Sequence, residues 1–159
     1  MRILVVSDSH GDPWAIRQAV EAQPTASVVL HLGDGSRDME DVAMSYPDRT
    51  VYQVRGNCDF SSGTMIPYAR DEILGGRKIF MTHGHLYGVK SDLYRVTCAA
   101  RERGAEILLF GHTHCPLAAY DDGLYILNPG SVGYSDGTYG LVDITPAGVV
   151  VNTVALRKW

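Results

Sequence analysis

The 159-residue chain predicts an α/β domain in which two mixed β-sheets pack face to face with helices outside, a four-layer αββα sandwich. Two observations carry this. In the first half, short β-branched apolar runs alternate with helix-like stretches, the pattern of right-handed crossovers and a parallel core. In the second half the helices stop and bare strands succeed one another.

The elements follow in order. Residues 3–6, 28–30, 51–54, 79–81 and 107–110 are apolar runs of strand length and composition. Asp12-Pro13 opens a helix through Gln23, with Asp12 as cap and Pro13 at the first helical position. A second short helix covers residues 39–46 and is ended by Pro47; a third runs over 92–103 with Gly104 as its stop. Residues 72–74 and 78–81 flank Gly75-Gly76, a hairpin signal that sets His83 at the end of an antiparallel strand. After His114 come strands at 117–120, 124–127, 140–144 and 149–155, with Asp121-Asp122-Gly123 as a turn.

Composition sets the class. With 45% hydrophobic and 20% charged residues the chain reads as one ordinary globular domain over residues 1–159, long enough to bury roughly two thirds of its unfolded surface. A net charge of −4 without a Lys or Arg run gives no footprint for long nucleic acid. A small phosphate ester stays compatible, because bound divalent ions would reverse the local sign. The run at 3–6 is shorter than a signal-peptide core of ~7–15 residues, and no apolar stretch reaches the ~20 residues of a membrane span. Cys58, Cys98 and Cys115 are an odd set without paired spacing, so a cytoplasmic protein without a disulfide framework is expected.

Five polar islands follow the apolar runs: Asp8-Ser9-His10, Gly33-Asp34, Gly56-Asn57, His83-Gly84-His85 and Gly111-His112-Thr113-His114. Strand ends are where open α/β sheets bind ligands. The islands mix carboxylate and amide oxygen with imidazole nitrogen, a set that suits manganese, iron, zinc, cobalt or nickel better than calcium. A single catalytic zinc needs about three protein ligands, fewer than the islands offer. Two ions sharing one carboxylate would use the set economically.

In kind and order these islands resemble the calcineurin-like metallophosphoesterases, in particular their small single-domain phosphodiesterase branch, over nearly the whole chain. The resemblance implies the metallophosphoesterase fold and two divalent metal ions, with manganese expected and nickel, iron, cobalt or zinc as alternatives. Asp8, His10 and His114 would hold one ion and Asn57, His83 and His112 the other. Asp34 would bridge them, and Asp34 and Asn57 would be the catalytic pair, Asn57 lying close to the substrate phosphate. The implied reaction is hydrolysis of phosphate esters, diesters above all, by attack of a hydroxide bridging ions about 3.5–4 Å apart. The implied partner is a small phosphate-ester substrate, with neither a membrane nor long nucleic acid involved. The alternative is a non-catalytic scaffold or protein-interaction module of the same fold.

One position departs from the family's commonest pattern. Gly56-Asn57 is followed by Cys58-Asp59, where that pattern has a histidine that can serve as general acid. A thiol with an ordinary pKa near ~8.5 is a poor replacement for an imidazolium, and the diesterase branch resembles this chain in having Cys there. Cys58 is therefore a substrate-selectivity candidate.

Other polar residues have plainer readings. His31 is expected to be a satisfied core histidine or to support the site, donating its N–H to a carboxylate or carbonyl, and His85 to support a ligand or face substrate. Residues 128–131 read as a tight turn, and the family resemblance, in which a similar run lies near the metals, allows them a supporting role. Arg37 and Arg55 are surface residues or neutralise a phosphate oxygen. Cys98 is a small buried hydrophobe in the third helix.

Overall fold

The computed structural model describes residues 1–60, 65–134 and 136–156. In chain order its elements are β1 (Arg2–Val6), α1 (Pro13–Ala22), β2 (Val28–His31), α2 (Ser36–Ser45), β3 (Thr50–Gln53), β4 (Ala69–Leu74), β5 (Arg77–Thr82), α3 (Tyr94–Glu102), β6 (Ile107–Leu109), β7 (Leu117–Asp121), β8 (Leu124–Asn128), β9 (Thr138–Thr145) and β10 (Gly148–Ala155). One sheet has the order β10-β9-β1-β2-β3 and the other β4-β5-β6-β8-β7. β1, β2 and β3 are parallel, as are β5, β6 and β8. β9 and β10, β4 and β7 add antiparallel ribbons. This is the expected sandwich of two mixed sheets with helices outside.

Alternation along β1 explains the layers. Ile3 and Val5 point between the sheets, where they meet Leu30, Ile79, Met81, Ile107, Leu109 and Val142. Leu4 and Val6 point the other way, onto Ile16, Ala19 and Val20 of α1 and Met39 and Val42 of α2. On the far side of the second sheet, Phe80, Leu108 and Ile126 pack against Val96, Ala99 and Ala100 of α3. Such burial on both faces requires runs that are apolar throughout.

Local signals placed most boundaries. The Asp12 carboxylate accepts the Ala15 N–H at 3.0 Å and Pro13 is the first residue of α1. Gly75 and Gly76 take φ of 56° and 76°, the consecutive left-handed pair of a two-residue hairpin. Helix α2 corrects the sequence reading. It begins at Ser36, three residues before the expected start at 39. Its N-cap, Gly35, has no side-chain cap of its own; the N–H groups of Gly35 and Ser36 are held by the carboxylate of Asp59 from another loop. Among the described residues no helix is long and apolar enough to cross a membrane.

Candidate metal centre

The five islands lie where β1, β2 and β3 of one sheet and β5 and β6 of the other end at the same edge of the sandwich. Backbone bonds tie the loops together. Asp8 N–H reaches Gly33 O at 2.9 Å, His10 N–H reaches Asp34 O at 3.1 Å, and Gly111 N–H reaches His83 O at 3.0 Å. Asp8, His10, Asp34, His112 and His114 all take positive φ between 48° and 68°. Asp122 is the sole further non-glycine residue to do so among those described. Left-handed backbone is uncommon for non-glycine residues and costs about 1–3 kcal/mol each, so its concentration at five candidate ligands marks a site held against local preference. The close approach also demands Gly56, whose added Cβ would fall 2.0 Å from Asp34 Oδ1.

The side chains converge in two groups. In the first, His114 Nε2 lies 3.1 Å from Asp8 Oδ1 and 3.3 Å from His10 Nε2. In the second, His83 Nε2 lies 3.1 Å from Asn57 Oδ1, 3.2 Å from His112 Nδ1 and 3.4 Å from Asp34 Oδ2. The groups meet where His83 Nε2 comes within 4.0 Å of Asp8 Oδ1. Asp34 also lies in donor reach of His10, so it faces both. All seven residues picked out in the sequence are thus brought together.

The donor set fits divalent ions. With bonds of ~2.0–2.1 Å, neighbouring ligands of a tetrahedral ion sit ~3.3–3.4 Å apart, close to the spacings above. Histidine nitrogens face one another without an intervening acceptor, an arrangement that a cation resolves. The tautomer of His83 is set: Nδ1 lies 2.8 Å from the Leu32 carbonyl, which can only accept, leaving Nε2 toward the cluster.

The electrostatics agree. Burial opposes charge on Asp34, but the bond to His83 and the Cys58 N–H outweigh it and hold the carboxyl far below the usual range. Burial, then the charges of His83 and Lys90, push His112 down to about 4, leaving its imidazole neutral. Burial also lowers His83, but Asp34 and Asp8 overcome it and the net shift is upward. An ion bound at this nitrogen would have to displace the His83 proton, which this histidine keeps to higher pH than an ordinary imidazole. Affinity of the ion-free protein for manganese is expected to fall as pH is lowered, by up to about tenfold per unit for each proton displaced. Calorimetry in two buffers of different ionisation enthalpy reads that proton directly; binding without proton release would contradict it.

Apart from residues 128–131, the sequence did not single out the supports of this cluster. Asp59 Oδ1 accepts from Gly35 and Ser36 N–H, and Oδ2 from Asp34 and Gly56 N–H, all at 2.8–3.0 Å. Burial disfavours its charge, yet the four donors prevail and lower its pKa. Asp38 Oδ2 accepts from Ser9 Oγ and Gly11 N–H, and Asp8 Oδ2 accepts from Ser7 Oγ at 2.5 Å and His112 N–H at 3.1 Å. Residues 128–131 do form the expected turn, with Gly130 N–H on Asn128 Oδ1, but they do more. Asn128 Nδ2 donates to Gly111 O and Thr113 Oγ1, and Ser131 Oγ donates to Asp8 O.

His31 is a correction. It is fully buried, as a core histidine would be, but its Nδ1 accepts from Gly33 N–H and its Nε2 has no partner among the described residues, so it donates to no carboxylate or carbonyl there. His85 stacks beside His83 and Tyr68, with ring centroids at 5.3 Å and 5.7 Å, outside the donor groups. The guanidinium of Arg55 lies over Tyr68, whereas exposed Arg37 lines the cavity beside Asp34. Cys98 is only half-buried, because it sits at the margin of the α3 face that packs on the sheet.

A two-sheet sandwich with carboxylate and imidazole donors gathered at its strand ends defines a metal-dependent phosphoesterase class, and the model of the calcineurin-like phosphoesterase superfamily domain matches residues 1–146. The chain belongs to that superfamily. It is 36% identical to a probable metallophosphoesterase, YsnB, of Bacillus subtilis, over 83% of this chain and 75% of that protein. It is 30% identical to the phosphodiesterase YfcE of Escherichia coli, over 90% and 88%. The crystal structure of a conserved Streptococcus pneumoniae protein, a predicted phosphoesterase, superimposes with a TM-score of 0.81 at 30% identity, covering 97% of this chain and 88% of that one.

Proposed function

We propose that the protein hydrolyses phosphodiesters with two divalent ions, one held by Asp8, His10 and His114, the other by Asn57, His83 and His112, with Asp34 between them. The observation that carries the reading is the convergence of these donors in two groups joined at Asp34. Similarity to a named phosphodiesterase supports the diester preference. When bound, the ions would polarise the phosphoryl oxygens and make a nucleophile available from water at neutral pH.

The chain's own residues supply the rest. The backbone strain and the Asp59 carboxylate fix the donors before substrate arrives, so little reorganisation is left for the reaction. Exposed Asn57 lies against the second group through Oδ1 and turns Nδ2 to Cys58 Sγ at 3.2 Å, where its amide can orient a phosphate. Burial, then the neighbouring Asp34, raise the Cys58 thiol; it brings neither positive charge nor a ready proton to a leaving group.

A monoester carries close to two negative charges near neutral pH and a diester one, so a rim lacking a cationic histidine favours the diester. With manganese at saturation, an aryl phosphodiester is expected to turn over faster than the matching monoester. Cys58→His should narrow the gap by raising the monoesterase rate, toward the ~10²-fold lower end of general-acid assistance. Metal content measured alongside excludes recruitment of an additional ion. A wild type that prefers monoesters, or a correctly metallated variant with an unchanged ratio, would contradict this role for Cys58. Purified protein with no bound ion and no stabilisation by manganese would favour the scaffold reading instead.

A further inference from the structure

We propose that His10, Asp34 and Cys58 form a capture site for thiophilic divalent ions such as cadmium and zinc, overlapping the two groups above at His10 and Asp34 and inhibitory when filled. The inference rests on those groups being ion ligands, and it adds a regulatory position to them.

One ligand atom from each of the three residues lies within 4.8 Å of the others. The thiol is placed by its backbone, since Cys58 N–H is bonded to Asp34 Oδ1 at 2.7 Å. His10 and Cys58 are both exposed, and with Asp34 they line an open cavity of about 290 Å³. An ion can therefore reach the three donors from solvent. Zinc bonds of ~2.3 Å to sulfur and ~2.0–2.2 Å to nitrogen and oxygen put neighbouring ligands ~3.3–3.7 Å apart. The donors need close by only about 1 Å, which rotation of the two exposed side chains supplies while Asp34 stays fixed.

Ion softness decides which metal goes there. Thiolate selects soft and borderline ions, whereas manganese and magnesium prefer carboxylate, carbonyl and water. On binding, the Cys58 S–H bond is replaced by a metal–sulfur bond and the proton passes to solvent, with no change of oxidation state. An ion so held draws His10 from the first group and occupies an oxygen donor of the fixed Asp34 that both groups would share. Cys115 is also exposed, next to His114, but among the described residues it belongs to no group of three donors.

The test titrates the full-length, metal-free protein with cadmium and records the ultraviolet thiolate-to-cadmium charge-transfer band, which imidazole and carboxylate do not give. The wild type, Cys98→Ser and Cys115→Ser should show the band and Cys58→Ser should lose it. His10→Ala should need at least about tenfold more cadmium to develop it, the lower end for loss of even an outer support of a metal site. Cadmium should protect Cys58 from alkylation, read by mass spectrometry. Added to manganese-loaded protein, it should inhibit the wild type more strongly than Cys58→Ser, each relative to its own rate without cadmium. No band in the wild type, or a band that persists in Cys58→Ser and vanishes in Cys115→Ser, overturns the site. A band in a protein that hydrolyses no diester with manganese would leave the capture site standing and remove the proposed activity.

Discussion

Asp34→Asn is expected to abolish diester hydrolysis, by at least ~10³-fold, the upper end for removal of one transition-state donor, and to lower ion occupancy on both sides at once. The amide keeps the size of the carboxylate and an oxygen for the Cys58 N–H, which Asp34 Oδ1 accepts at 2.7 Å, so the loop keeps its shape. What is lost is the negative charge between the donors of His83 and His112 and those of His10. One-sided losses should differ in kind: His114→Ala should release mainly one ion and His112→Ala mainly the other. Metal stoichiometry with turnover on the same samples checks all three. An Asp34→Asn protein that retains two ions and near-full activity would remove Asp34 from its place between them.

Asp59→Asn is expected to have the largest effect on folding of any isosteric change at the site, about 3–5 kcal/mol. Each carboxylate oxygen accepts two backbone N–H groups, Gly35 and Ser36 on one and Asp34 and Gly56 on the other. Whichever way the amide turns, its NH₂ confronts two buried donors. Hydrogen bonds to a charged acceptor are worth ~1.5–3 kcal/mol each and an unmet buried donor costs ~1–3. The pH dependence has a definite sign. The folded pKa of Asp59 is lowered, so its stabilisation is complete above the ordinary carboxylate pKa near ~3.9 and is lost as pH falls through the lower folded value. Urea unfolding of wild type and variant from pH 7 downward should show the difference shrinking in acid. A constant gap, or one below ~1 kcal/mol at pH 7, would mean that the four bonds contribute little.

These two residues also separate what the sequence disclosed from what it hid. Asp34 was legible because it follows an apolar run, beside a glycine, in a series of similar islands; strand periodicity and motif order are properties of contiguous residues. The sandwich was legible for the same reason, down to the Gly75-Gly76 turn. Asp59 was hidden because its partners lie in another loop, 23 to 25 residues away in the chain for three of the four bonds, and a carboxylate that accepts backbone donors leaves no periodic trace. The missed first turn of α2 has the same origin, since its cap comes from Asp59 rather than from its own flank. Asp38, Asn128 and Ser131 likewise act across loops that only the closed sandwich brings together. A hint was available for Asp59: an acidic residue two positions beyond Asn57, at a loop rich in backbone donors, is suited to the role.

The long spacing within the first donor group has a consequence in time. Asp8 and His114 meet at 3.1 Å although 106 residues separate them in the chain. At about 5–20 residues per second of synthesis, Asp8 leaves the ribosome ~5–20 s before the histidine that completes its group. Throughout that interval the nascent chain carries carboxylates and imidazoles that lack their partners from the second sheet, although the turns at Asp8 and His10 can already close against Gly33 and Asp34 of their own sheet. If these residues hold ions as proposed, tight capture would wait for β6 to dock. The order in which the strands emerge thus puts β1 to β6, from both sheets, ahead of the residue that completes the first group, with β7 to β10 still to follow.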